Sequence, residues 1–216
     1  MSAGRAGVGH GRTSKTRVPN RWGEGQQLRQ EILDAAARLL RAVNSPEEIT
    51  LRGIAREVGI TAPAVYSHFK DKAELMWTLL DSVCATLAEK MRAAQQAAPA
   101  DDPWTGLRAA IDTYCGLATD APDHYDLLFR IAPGLPIPEH LPRHPMSVIL
   151  DAWRDAVTPF LVATDPDADY DRTAKVLWSS LHGQLGLWHN VSRAANDDAE
   201  LDRLRNALLL ALFGRS

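Results

Sequence analysis

From Gln26 almost to the C-terminus, apolar residues recur three and four positions apart, and no stretch alternates apolar with polar residues for long enough to make a strand. The spacing predicts an all-α protein. The first helix carries Leu28, Ile32, Ala35, Ala36, Leu39, Leu40 and Val43 on one face and stops at Asn44-Ser45-Pro46. Thr50 is the expected cap of a second helix that buries Leu51, Ile54, Ala55 and Val58 and ends at Gly59 in a left-handed turn. Thr61 is the expected cap of a third, very short helix, in which Pro63 is tolerated because first-turn N–H groups have no intrahelical partner. Asp71 opens a longer helix through Leu75, Leu79, Leu80, Val83 and Leu87 toward Met91. Beyond Pro99, helices are expected near 103–118, 122–131, 146–163, 170–192 and 199–213. The prolines at 133, 136, 138, 142 and 145 exclude a regular helix over 132–145.

Charge divides the chain. The whole carries −3, yet residues 1–72 hold 12 basic and 7 acidic groups, a net of +5, and residues 73–216 hold 12 basic and 20 acidic groups, a net of −8. Arg5, Arg12, Lys15, Arg17 and Arg21 all precede the first acid, Glu24, among glycines, serines and threonines that cannot bury enough apolar surface to order themselves. This leader reads as a flexible basic arm that phosphates attract, or as a solubilising or dispensable remnant. The expected organisation is an arm over 1–24, a DNA-binding unit over 25–72 and a helical body over 73–216.

The segment Thr50 to Lys72, TLRGIAREVGITAPAVYSHFKDK, is two short helices joined by a tight glycine-containing turn, the sequence form of a helix-turn-helix. Ala55 permits close packing, and Ile60, Val65 and Phe69 hold the second helix onto the first. Such packing projects the start of the second helix into a major groove about 12 Å wide.

This segment resembles the TetR family of bacterial transcriptional regulators in Thr50, Ile54-Ala55, Val58-Gly59-Ile60-Thr61, Val65-Tyr66, His68-Phe69, Lys72 and Leu75. The resemblance implies that Thr50, Tyr66, His68 and Lys72 meet phosphate oxygens, a role their hydroxyl, ring N–H and ammonium donors suit. Each also has a plain structural role: a cap for Thr50, a core-edge aromatic for Tyr66, solvated polar groups for His68 and Lys72. Thr61, Ala62, Pro63, Ala64 and Ser67 are the outward, base-facing candidates, and none makes the bidentate contacts of Arg with guanine or Asn with adenine. Part of the specificity is therefore expected from Arg52 and from arm residues such as Arg12, Arg17 and Arg21 in a minor groove. Gly53 stands where a capping box would want Glu or Gln.

For the remaining helices the family implies a homodimer, a double-stranded DNA operator as partner and a small-molecule effector of unknown identity. Leu177, Leu181, Leu185 and Trp188 form one stripe and Leu201, Leu204, Leu208 and Leu212 another, as for a pair contributing to a four-helix dimer bundle or for a monomer's own core. Gly183 and Gly186 would permit close backbone approach. The run Trp178-x-x-Leu181-His182-Gly183 is similar to a Trp-His-Gly-type C-terminal variant within the family. Trp104, Tyr114, Cys115, Tyr125, Phe129, Met146, Trp153, Trp178 and His182 have the character of a cavity wall or of plain core. Tyr114, Phe129, Trp153, Trp178 and His182 are the chosen pocket residues. The expected mechanism is release from the operator by ligand; the alternative is a constitutive or partner-controlled regulator without one.

Other classes find little support. His140 and His144 are four apart beside Glu139, but Pro142 and Pro145 break the helix on which such a metal pair would converge. No phosphate-binding glycine loop or nucleophile elbow occurs, so neither an enzyme nor a cofactor or metal is expected. Cys84 and Cys115 are too few for a disulfide framework and match no zinc spacing. The longest apolar run, Ala207 to Phe213, falls far short of the roughly 18 residues of a membrane span. A cytoplasmic protein with no membrane partner is the expectation.

Overall fold

The computed structural model of the chain describes residues 24–43, 48–121, 124–125, 127–128, 143–188 and 198–215. Among them are eight helices: α1 Glu24–Ala42, α2 Leu51–Val58, α3 Ala62–Tyr66, α4 Lys72–Gln96, α5 Pro103–Asp120, α6 Ser147–Thr164, α7 Tyr170–Leu187 and α8 Asp198–Phe213. The described residues contain no strand. No helix among them is long and apolar enough to cross a membrane. The helix expected at 122–131 lies largely outside the described residues, as does most of the proline-rich 132–145 segment.

The caps anticipated from sequence bound the first half. Thr50 is extended, and its hydroxyl accepts from the Gly53 N–H at 3.0 Å. Gly59 turns left-handed at φ 79°, while its N–H bonds to the Arg56 carbonyl at 3.2 Å and the Ile60 N–H to that of Ala55 at 2.9 Å. This pair of bonds is a Schellman ending, which satisfies carbonyls the helix would otherwise leave open. Asp71 accepts from the Glu74 N–H at 2.8 Å, and the Glu74 carboxylate reaches back to the Lys70 N–H at 2.7 Å. Thr61 is the exception. It stands at the N-cap of α3, but its hydroxyl makes no capping bond. With Pro63 in the first turn, one of the donors it would serve is absent.

The buried apolar residues run without interruption from Ile32 on α1 to Leu209 on α8. Helices α1, α2 and α3 pack on one another, α1 leans on α4, and α4 packs against α5 and α6. Helix α6 in turn meets α7, and α7 meets α8. Helix α4 thus touches both the N-terminal helices and the body. Its junction with α6 solves a backbone problem: Pro159 lies inside α6 and has no N–H for the carbonyl four residues earlier. That carbonyl, on Asp155, accepts instead from Gln95 Nε2 of α4 at 2.8 Å, beside an Arg92–Asp155 ion pair at 2.7 Å.

Candidate nucleic-acid interface and interior aromatic cluster

Helix α3 is pinned from beneath by Val65 and Phe69, both fully buried, which leaves its opposite face to solvent. Thr61, Pro63, Tyr66 and Ser67 are exposed, and Ala62 and Ala64 are half-buried. Tyr66 is 54% exposed, unusual for a large aromatic in a well-packed unit. The Ser67 hydroxyl donates to the Ala64 carbonyl at 2.8 Å, so its oxygen lone pairs stay available. Thr50 and Arg52 are exposed at the start of α2, and His68 and Lys72 are half-buried around the start of α4. The outward candidates from the sequence therefore lie at the starts of α2, α3 and α4, around the helix-turn-helix. Arg12, Arg17 and Arg21 lie outside the described residues.

Sequence spacing gave no sign of the clasp behind this face. The guanidinium of Arg29, from α1, stacks on Phe69 and reaches the Thr78 hydroxyl of α4. An Arg38–Glu57 pair at 3.2 Å joins α1 to α2.

In the body, the structure brings together four of the five chosen pocket residues, and Phe129 lies outside the described residues. Trp178 and His182, one turn apart on α7, both point at Tyr114 of α5. Trp178 Nε1 donates to the Tyr114 hydroxyl at 2.9 Å, and that hydroxyl lies 2.8 Å from His182 Nδ1. The indole can only donate, so the tyrosine oxygen accepts from it, and the tyrosine's own proton can go to Nδ1 when that nitrogen is unprotonated. Burial acts the same way on both ends: desolvation holds the Tyr114 phenol protonated and lowers His182 to about 4. The Trp153 ring of α6 meets Tyr114 edge to face at 5.2 Å. Tyr114 and Trp153 are fully buried, whereas Trp178 and His182 are only partly so. The cluster thus extends from the interior to the flank of α7.

Other aromatic candidates make contacts of their own. Trp104 packs with Phe160 and Phe213 where α5 begins and α8 ends. Tyr125 donates to the Leu185 carbonyl at 2.9 Å. Cys84 and Cys115 are buried free thiols, each pushed up to about 12 chiefly by desolvation, and so unreactive. A cleft of about 230 Å³ opens between α4 and α5, over buried Val83, Leu87 and Leu117, with Lys90, Asp120 and His124 around it. None of the four clustered residues lines it.

One expectation needs correction. Leu177, Leu181, Leu185 and Trp188 are buried within the chain itself, so that stripe of α7 is internal core and not a free dimer face. Of the expected α8 stripe Leu204 is exposed, and further exposed apolar side chains lie beside the stripes at Val176, Leu187 and Leu210. An added Cβ at Gly183 would meet nothing within 4 Å. The helical period alone could not tell which of two adjacent faces is covered by α5 and α6.

Comparison with known proteins agrees with this architecture. The family model described as bacterial regulatory proteins, tetR family, matches residues 32–77, and a tetracyclin repressor-like C-terminal domain model matches residues 107–212. An uncharacterized HTH-type transcriptional regulator of Haemophilus influenzae is 30% identical over 109 residues, 50% of this chain and 52% of that protein. The chain spans about half the length of this curated relative. A TetR-family transcriptional regulator from Streptomyces coelicolor has the same fold, with a TM-score of 0.64 and 20% identity over 86% of this chain and 97% of that one. So has the transcriptional regulator FadR of Bacillus subtilis, solved in complex with stearoyl-CoA, with a TM-score of 0.65 and 16% identity over 85% and 96%. The two family models, matched in order along the N-terminal helices and the body, identify the chain as a member of the tetR family of bacterial regulatory proteins.

Proposed function

We propose that the protein is a homodimeric repressor that leaves its double-stranded DNA operator when a small molecule enters the helical body. The observation that carries the DNA half is the solvent-facing side of α3, with Tyr66 and Ser67 exposed above a fully buried Val65 and Phe69. Thr50, Tyr66, His68 and Lys72 hold phosphates; Thr61, Ala62, Pro63 and Ser67 approach bases; Arg52 and the arm residues Arg12, Arg17 and Arg21 add contacts alongside. A second copy covers Val176, Leu187, Leu204 and Leu210, and the pair meets half-sites roughly 34–36 Å apart.

The effector is assigned to the Tyr114, Trp153, Trp178 and His182 cluster, with Phe129. The α4–α5 cleft is a poorer candidate, because its 230 Å³ falls below the roughly 300–1,000 Å³ of ordinary ligand pockets. The Bacillus subtilis FadR structure, with stearoyl-CoA bound on the same fold, supports the general reading of a ligand-responsive body. Ligand acts by favouring a spacing of the two recognition helices that no longer fits the operator.

Selection of operators from genomic DNA, followed by salt titration, tests this. The specific complex should give a steep fall of log affinity with log salt and at least a roughly thousandfold preference over random DNA. No preference would remove the regulator reading. Operator binding that no metabolite pool relieves would leave a constitutive regulator.

A further inference from the structure

The Trp153 indole stands out among the buried polar groups. Its ring is fully buried, yet its Nε1–H has no hydrogen-bond partner among the described residues. Buried donors are paired in the great majority of cases, because an unpaired one forfeits its bond to water without replacement. The neighbouring network does not absorb it. Trp178 already donates to Tyr114, and the Tyr114 hydroxyl is also paired with His182 Nδ1. The cluster therefore presents one unused donor among aromatic walls.

The charge around it is equally informative. Every fully buried side chain among the described residues is apolar or aromatic. The nearest arginine in sequence, Arg154, is engaged by Asp151 and Asp171, and the largely buried Arg205 by Asp112 and Asp202. Among the described residues neither a carboxylate nor an ammonium entering this interior would find a buried counter-ion, and an unpaired buried charge is far more costly than a buried dipole.

We propose that the Trp153 indole N–H is the hydrogen-bond donor for the effector, and that the effector is an uncharged, largely apolar molecule carrying a carbonyl oxygen. This rests on the assignment of the effector to the aromatic cluster. The carbonyl takes the Trp153 N–H, the apolar body lies against Tyr114 and Trp178, and access is from the partly exposed Trp178–His182 flank of α7.

The test uses the full chain labelled with indole-15N tryptophan, whose six tryptophans give separate N–H signals, and three probes of one chain length: 2-nonanone, nonane and nonanoate. Trp153→Phe keeps the ring and removes the donor. Expected are a shift of the Trp153 signal with 2-nonanone and not with nonane, a Kd for 2-nonanone about tenfold weaker in Trp153→Phe, an unchanged Kd for nonane, and weaker binding of nonanoate. If 2-nonanone moves the Trp178 signal but binds Trp153→Phe as tightly as the native chain, the donor role is overturned while the effector site stands. If nonanoate binds as tightly as the ketone, the uncharged class is overturned. If no probe moves either indole, the site assignment falls and this inference with it. Should Trp153→Phe not fold, the native spectrum decides, its Trp153 signal assigned by elimination from Trp→Phe changes at the other positions.

Discussion

The guanidinium of Arg29 lies 4.3 Å over the ring of Phe69 and reaches on to the Thr78 hydroxyl at 3.4 Å. One side chain of α1 thereby grips Phe69, just beyond α3, and the helix that leads into the body. Phe69 is held in turn by its N–H bond to the Val65 carbonyl, so the clasp lies one turn from exposed Tyr66.

Replacing Arg29 by Leu keeps much of the apolar packing and removes the cation–π attraction, a cost of about 0.5–2 kcal/mol. The melting temperature should fall by about 2–4 °C per kcal/mol in a chain of this size. Operator affinity should also fall, because the pose of α3 loosens, while the slope of log affinity against log salt stays unchanged. Lys72→Ala should instead lower that slope by about 1 for each phosphate the ammonium neutralises. A reduced slope in the Arg29 variant would mean that Arg29 itself touches phosphate.

Gly59 fixes the angle between α2 and α3. At φ 79° an L-residue is strained, and since a Cβ there would meet no atom within 4 Å, backbone conformation alone sets the cost. Gly59→Ala should destabilise by about 1–2 kcal/mol in urea titrations, and Gly59→Asn by less, because Asn tolerates this region better. Equal losses in both would point to a steric cause that the structure does not contain.

Tyr114 serves two partners at once. Tyr114→Phe strands the Trp178 N–H and removes the hydroxyl paired with His182 Nδ1, a loss of about 1–3 kcal/mol. Adding Trp178→Phe removes one stranded donor, so the double variant should lose less than the two single losses combined. Urea midpoints at constant m-value provide the reading, and strict additivity would rule out the network as drawn.

The parts of this molecule that follow from local chemistry were legible in the sequence. Thr50, Gly59 and Asp71 act through neighbours within five positions, and each bounds its helix as its residue type suggests. Arg29, Gln95 and Trp153 were not legible. Arg29 and Phe69 are 40 positions apart, Gln95 and Asp155 60 apart, and such partners depend on how helices cross. Trp153 was marked for its aromatic character alone; that its N–H would be left unpaired depends on what α5 and α7 do not offer it. The α7 stripe proved to be internal core for a related reason. Val176 and Leu177 are adjacent apolar residues on neighbouring faces, and burial by α5 and α6 decided between them.

His182 makes stability depend on pH in a stated direction. Desolvation lowers it to about 4 in the folded chain, against 6.5 for the ordinary side chain. Between those values the unfolded chain binds the additional proton, so stability must rise with pH across this window and level off above about 6.5. Equivalently, stability present at neutral pH is lost as pH falls from 6.5 toward 4. At about 1.36 kcal/mol per pH unit the whole difference is about 3.4 kcal/mol, and solvent at the partly exposed edge of the ring reduces it to about 1–2 kcal/mol. Carboxylates titrate in the lower part of the same range, so the informative quantity is the difference between the native chain and His182→Gln. The glutamine can present an oxygen to the Tyr114 proton but does not titrate. Urea stabilities measured from about pH 4 to 7.5 should rise by that much more in the native chain than in the variant. Parallel curves would mean that His182 accepts a proton in the folded state, and that the hydroxyl of Tyr114 is oriented the other way.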